Sequence, residues 1–389
     1  MKRNALQVLK DNTMLIVLVL VYLFFTVMTG GQMFSPFNFQ ELVTQNAYVF
    51  ILASGMLMCM LTGGNIDLAC GSLVCFLGAL GAYFMAIQEM APGVAIILML
   101  LIGIVYGCVL GYLIAYINIP PWIATLAGFL AFRGLGTDIL SKNSKTGSIS
   151  IKKVESFLAI FAGRLFKTKP NVLNMPCITV GVIAAIIVVL LNIIGRANKV
   201  KKGYEADSFG FMLGKSVLEA GIILLVAYKL AMGGGIPTVL IWVAIVVLFY
   251  NFITEKTTIG RHFYVVGGNK EAARLSGVNT RRIMFIAYLN MAIVTVITTW
   301  VVLGRVQAAN STAGTNFEMD AISACVVGGV SAYGGAGRII GMVIGATLIG
   351  VINLGMSLMN IDANFQKVVK GVVLLGAVAF DILSKRRSK

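Results

Sequence analysis

Residues Thr258 to Val278 read TIGRHFYVVGGNKEAARLSGV. The stretch is polar, Arg-rich and punctuated by glycine, and it lies between two runs too apolar to sit anywhere but in lipid. Its charges and backbone groups would go unsatisfied in hydrocarbon, so it must lie outside the bilayer. Its basic residues place it on the cytoplasmic face. Within it, Gly267-Gly268-Asn269 ends one element. Asn269 can cap a short helix over Lys270 to Leu275, and Gly277 stops that helix. Ala272 and Ala273 are small enough to let the helix seat in a partner's groove, while Glu271 and Arg274 can fix its register. An ordinary solvated connector is the alternative. The docking reading predicts a membrane subunit driven from the cytoplasm.

The composition agrees with lipid as the solvent. Of 389 residues 58% are hydrophobic and 12% charged, with a mean hydropathy of +0.91. Such a chain cannot cover its surface with polar groups as a soluble domain would. The net charge of +16 does not call for nucleic acid. Its basic residues cluster at the ends of apolar runs, where anionic lipid headgroups suffice as partners. The six cysteines form no CxxC pair and His262 stands alone, so no metal site is expected. No GxxxxGK[ST], nucleophile elbow or HExxH occurs, and no ATP hydrolysis or other catalysis is expected of this chain.

Apolar runs lie near 13–30, 45–62, 68–87, 94–117, 121–140, 175–195, 216–233, 236–253, 283–303, 321–333, 339–359 and 366–383. A bilayer core takes about 20 apolar residues per helix. The fold class is therefore an all-α polytopic transmembrane bundle of about 10–12 spans, some broken by glycine. The runs at 121–140 and 321–333 are short or polar-flecked. Lys2, Arg3 and Lys10 at one end and Lys385 to Lys389 at the other put both termini in the cytoplasm. Residues 141–173, with seven Lys and Arg, break this rule by falling outside. There Ile151, Val154, Phe157, Leu158, Phe161 and Leu165 recur at helical spacing, which predicts an outer-surface amphipathic helix or a re-entrant segment. Gly103, Gly107 and Gly111, and Gly337, Gly341 and Gly345, make small faces for close helix packing.

Three further segments carry polar groups into apolar surroundings. In GGNIDLACGS (63–72), the glycines permit a helix break, and Asn65 and Asp67 either contact substrate or, for Asp67, cap the next helix; the two roles are compatible. In NIPPWIATL (118–126), Trp122 with Asn118 and Thr125 suits a sugar, whose C–H face stacks on indole while its hydroxyls find amide and hydroxyl. An interfacial Trp anchor is the plainer reading. In FEMDAISACVVGGVSAYGGAG (317–337), Glu318 and Asp320 can cap a helix, Ser331 follows a second Gly-Gly break, and two such breaks in the two halves point to a central pathway.

These segments in this order resemble the permease subunit of bacterial ABC importers for monosaccharides, the family of the ribose, galactose and xylose permeases. The resemblance covers about 45–383. The chain departs from the family's pattern at Asn65 and at Ala69-Cys70. The resemblance implies a single transmembrane permease domain over 1–389 in the cytoplasmic membrane, with 254–282 as the coupling loop. It implies a permease dimer, a cytoplasmic ATPase that uses ATP and docks at Gly267, Gly268, Asn269, Glu271, Ala272, Ala273, Arg274 and Gly277, and an extracytoplasmic sugar-binding protein. The substrate pathway is then expected at Asn65, Asp67, Asn118, Trp122, Thr125, Asp320 and Ser331. The long stretch between Gly134 and Thr258 resembles the xylose or multiple-monosaccharide branch, which carries extra helices there; the resemblance implies xylose-like or mixed aldose transport, with galactose or methyl-galactoside next. A proton-coupled sugar transporter, with Asp67, Asp138, Glu219 and Asp320 as the ionisable candidates, a permease of the same family for a nucleoside, and a membrane enzyme are the rival readings.

Overall fold

The computed structural model describes residues 13–169, 172–203 and 208–387. Lys2, Arg3 and Lys10 and the terminal Ser388 and Lys389, on which the placement of the termini partly rests, lie outside the described residues. Every apolar run becomes a helix: α1 (Thr13–Met28), α2 (Pro36–Gln45), α3 (Ala47–Leu61), α4 (Cys70–Ala82), α5 (Pro92–Ala115), α6 (Pro121–Asn143), α7 (Glu155–Phe161), α8 (Met175–Lys201), α9 (Phe209–Met232), α10 (Thr238–Lys256), α11 (Thr258–Gly268), α12 (Lys270–Leu275), α13 (Thr280–Val306), α14 (Phe317–Val327), α15 (Ile339–Leu358) and α16 (Ala363–Arg387). Among the described residues nine helices are long and apolar enough to cross a membrane, counting α2 with α3 as one and α4 with its π-helical extension to Ile87 as another. The 121–140 run is one of them, a helix of 23 residues. The run near 321 yields only the 11-residue α14, because Gly328 caps it and Gly329 takes φ +84°.

The chain divides into two compact units. The first comprises 1–33, 42–163 and 239–389. Its core is the central helix α13 with α3, α4, α14 and α15, which bury most of their length. With lipid outside, apolar burial does not drive these helices together, so close van der Waals fit must. The predicted small faces supply it. A Cβ on Gly103 would stand 2.2 Å from Val296 Cγ2, one on Gly107 2.8 Å from Ala292 Cβ, and one on Gly111 2.9 Å from the Phe285 carbonyl. Here α5 lies directly against α13. The Gly107→Val variant is expected to lose about 1–3 kcal/mol through overpacking, read as a lowered unfolding midpoint in detergent. On the other side, Gly341 and Gly345 meet the carbonyls of Gly328 and Ala324, seating α15 on α14.

Residues 141–173 do not form the predicted surface helix. Only α7 is helical; β1 (Ser148–Ser150) pairs antiparallel with β4 (Ala308–Asn310). The apolar periodicity reflects burial instead. Ile151, Phe157 and Phe161 are buried, and Phe161 packs between Trp242 and Trp300, with Gly304 beneath its Cβ. Helical spacing in seven residues cannot distinguish a lipid-facing from a core-facing stripe. Leu165, beyond the end of α7, is exposed.

The second unit comprises 34–41 and 164–238. It is an antiparallel hairpin of α8 and α9, the extra helices expected between Gly134 and Thr258, with a short pair of β2 (Arg164–Leu165) and β3 (Ile236–Pro237). Asn192 ties the hairpin together by donating to Ser216 Oγ at 3.1 Å and to Glu219 Oε2 at 2.7 Å. Lys229 donates to the Phe34 carbonyl at 2.7 Å and stands over that residue's ring.

Candidate functional site

Two places in the first unit carry polar chemistry, one at each end of α3 and α14. The first is a cavity of about 340 Å³, within the size range of small-molecule sites. The α2–α3 junction supplies Gln45, Asn46 and Tyr48; α13 supplies Thr299 and Arg305; the 310–314 turn supplies Asn310 and Thr312; α14 supplies Phe317; α15 and α16 supply Asn353, Ser357, Gln366 and Lys370. Its polar groups are mostly amides and hydroxyls, two aromatic rings face one another, and no Asp or Glu lines it.

The walls are fixed by contacts behind them. The Tyr48 hydroxyl donates to Asp320 Oδ2, and the Tyr48 ring stacks on Phe317 at 3.7 Å between centroids. Lys370 Nζ lies 2.9 Å from both oxygens of Asp320. Arg133 on α6 donates to the carbonyls of Ser311 and Ala313, at 3.0 and 2.7 Å, and so holds the 310–314 turn. Asn46 donates to the Leu42 carbonyl at 2.9 Å, which fixes its amide with the oxygen toward Asn353. Asn353 Nδ2 donates to that oxygen at 3.1 Å. Asn353 Oδ1 is thereby left buried with no protein donor. A buried acceptor without a donor is costly.

The second place is the exposed end of α11 and α12. Thr257 Oγ1 accepts from Gly260 N–H at 3.0 Å and opens α11. Asn269 Oδ1 accepts from Glu271 and Ala272 N–H at 3.0 and 2.9 Å and opens α12. Gly277 takes φ +83° just after it. The helix has the predicted bounds, Lys270–Leu275, for the predicted local reasons. The element that Gly267-Gly268-Asn269 was expected to end is the helix α11, whose last residue is Gly268. Ala273 alone of α12 is buried; Lys270, Glu271, Ala272 and Arg274 are exposed, and Leu275 is 77% exposed. Arg274 Nε donates to Glu271 Oε1 at 3.2 Å. By that hydrogen bonding first and its charge second, the guanidinium holds the Glu271 carboxyl below its ordinary range.

The seven residues expected along the pathway separate. Asp320 stands behind the cavity and fixes two of its lining side chains; its carboxylate serves Tyr48 and Lys370 rather than the start of α14. Ser331 lies past the other end of α14, where its Oγ accepts from Tyr333 N–H at 3.2 Å. Asn65 donates to the Thr62 carbonyl and hydroxyl, both at 3.1 Å. Asp67 is buried and accepts from Ala69 N–H at 2.8 Å, in a turn leading into α4. Thr125 is buried and bonds the Pro121 carbonyl of its own helix at 2.9 Å. Trp122 is 58% exposed, as the anchor reading has it, and Asn118 bonds the nearby Tyr116 carbonyl. The reading of the sequence missed Asn46, Tyr48, Arg305, Asn353, Gln366 and Lys370. A signal existed: Asn353 and Lys370 are strongly polar groups inside apolar runs, which is expensive in lipid unless they face a cavity or a partner.

Comparison with known proteins agrees with the architecture. Residues 38–378 match the family described as branched-chain amino acid transport system / permease component. The chain is 32% identical over 378 residues to the xylose transport system permease protein of Haemophilus influenzae, covering 96% of each chain. It is 29% identical over 376 residues to the ribose import permease protein of Escherichia coli K12, covering 96% of this chain and 94% of that one. It is 27% identical over 370 residues to the fructose import permease protein of Rhizobium meliloti, covering 94% and 84%. No solved structure matches. A multi-pass chain matched along nine-tenths and more of its length by permeases is a permease: it belongs to the branched-chain amino acid transport system / permease component family.

Proposed function

We propose that this chain is the membrane-spanning subunit of an ATP-binding-cassette importer that carries a neutral monosaccharide, xylose or a similar aldose, across the bacterial cytoplasmic membrane. The named relatives handle xylose, ribose and fructose. The observation that carries the substrate class is the cavity, whose polar lining is made of amides, hydroxyls and two cations with no carboxylate. A sugar hydroxyl can donate to a lining amide oxygen while accepting from Gln45, Gln366 or Arg305, and every hydroxyl has both capacities. A branched-chain amino acid fits this wall poorly. Its ammonium would need a carboxylate, and none lines the cavity; its apolar side chain would desolvate amides without replacing their hydrogen bonds.

On this reading α12 is the docking element for a cytoplasmic ATPase, with Glu271, Arg274 and Leu275 facing the partner. Gly267, Gly268, Asn269, Ala272, Ala273 and Gly277 shape and seat it. An extracytoplasmic binding protein delivers the sugar, two permease chains pair, lipid surrounds them, and the cavity alternates between the two faces. The chain itself moves substrate and catalyses no reaction. The test is uptake by proteoliposomes holding the permease, its ATPase and its binding protein. Labelled xylose is expected to enter only with ATP, with or without a proton gradient. The Asn353→Leu variant is expected to need about tenfold more sugar for half-maximal uptake, the effect of losing one buried hydrogen bond. Leucine uptake in place of sugar, or uptake driven by the gradient without ATP, would overturn the proposal.

A further inference from the structure

We infer that Gly64, Gly267 and Gly335 are positioning residues for transport: they form a backbone joint that passes movement of α12 to the cavity through α3 and α14. The inference rests on the docking role proposed above for α12.

Three of the Gly-Gly pairs of the sequence, at 63–64, 267–268 and 334–335, meet at one point. A Cβ on Gly267 would stand 1.7 Å from the Leu61 carbonyl oxygen, one on Gly64 2.0 Å from that of Ala332, and one on Gly335 2.8 Å from Gly268 Cα. Gly335 N–H donates to the Leu61 carbonyl at 3.1 Å. At the rim of the joint, the Tyr264 hydroxyl of α11 donates to the Gly337 carbonyl at 2.9 Å. Backbone thus touches backbone with no flexible side chain between. A close-packed contact of this kind transmits displacement instead of absorbing it.

From the joint two helices run to the cavity. Helix α3 spans about 22 Å from Leu61 back to Ala47, and α14 about 17 Å from Val327 back to Phe317. They are fastened together at three levels: Gly335 to Leu61 at the joint, Cys325 Sγ donating to the Ala53 carbonyl at 3.3 Å midway, and Tyr48 to Asp320 and Phe317 at the cavity. They therefore move as one strut. Among the described residues Lys370–Asp320 is the ion pair that ties the strut to α16, and on this inference it is the contact that opens and closes as the strut shifts. Made or broken, that pair gives the cavity wall two discrete arrangements, which a coupling path requires.

The test uses the complete transporter in liposomes and reads three quantities: ATPase bound per permease, ATP hydrolysed, and sugar imported per ATP. Gly64→Ala is expected to lower sugar per ATP about tenfold, and the milder Tyr264→Phe about threefold, with ATPase binding unchanged in both. A merely structural defect would lower assembly and leave the ratio intact. If Gly64→Ala does not assemble, Tyr264→Phe decides. A wild-type ratio in an assembled variant overturns the joint. ATP-independent uptake by the unmodified transporter would instead overturn the reading on which the joint rests, so the two failures are distinct.

Discussion

Replacing Asp320 with alanine is expected to destabilise the chain by about 3–5 kcal/mol, the cost of breaking a buried ion pair from one side. The side chain of Asp320 is 3% exposed and that of Lys370 20%. Without the carboxylate, the ammonium stays in a cavity wall lined by no other acid. The Tyr48 hydroxyl loses its acceptor as well, and an unmet buried donor adds to the loss. The expected result is a sharply lowered midpoint in detergent unfolding, with sugar uptake abolished. Adding Lys370→Met to Asp320→Ala is expected to restore much of the stability, because removing both charges costs far less than stranding one. A loss below about 1 kcal/mol in the single variant would mean that water screens the pair as it does surface ion pairs.

Reversing the charge of Arg274 acts at the other end of the molecule and in the opposite manner. In Arg274→Glu, two carboxylates stand at i and i+3 on an exposed helix where Arg274 had paired with Glu271. The fold should survive, since Ala273 alone of α12 is buried. Binding of the ATPase should weaken roughly a hundredfold, because a surface complementary to a cation now meets an anion. The check is co-purification of the ATPase together with uptake: the variant inserts and unfolds like the parent but imports little sugar. Unchanged uptake would remove α12 from the docking role.

How far each feature could be read in advance depended on the distance over which its cause acts. The bounds of α12 were legible because Asn269 and Gly277 set them within a few residues. The apolar runs were legible because lipid imposes its demand on each segment separately. The cavity was not legible. Asn46 and Asn353, or Tyr48 and Asp320, are some three hundred residues apart in sequence, and only the folded chain brings them together. Trp122 stood beside amide and hydroxyl in sequence, yet in the fold it is exposed while Thr125 is buried and bonded to the Pro121 carbonyl of its own helix. The glycine breaks were noticed for the opposite reason: glycine pairs are visible in sequence, but that three of them would touch follows from the packing of α3, α11 and the 328–337 turn.

One methyl group, that of Ala273, pins the six residues of α12 to the rest of the chain. The other five side chains are exposed and are available to encode an address. Grafting the equivalent hexapeptide from a distant homologue, with its alanine kept in place, should therefore re-route this permease to a foreign motor.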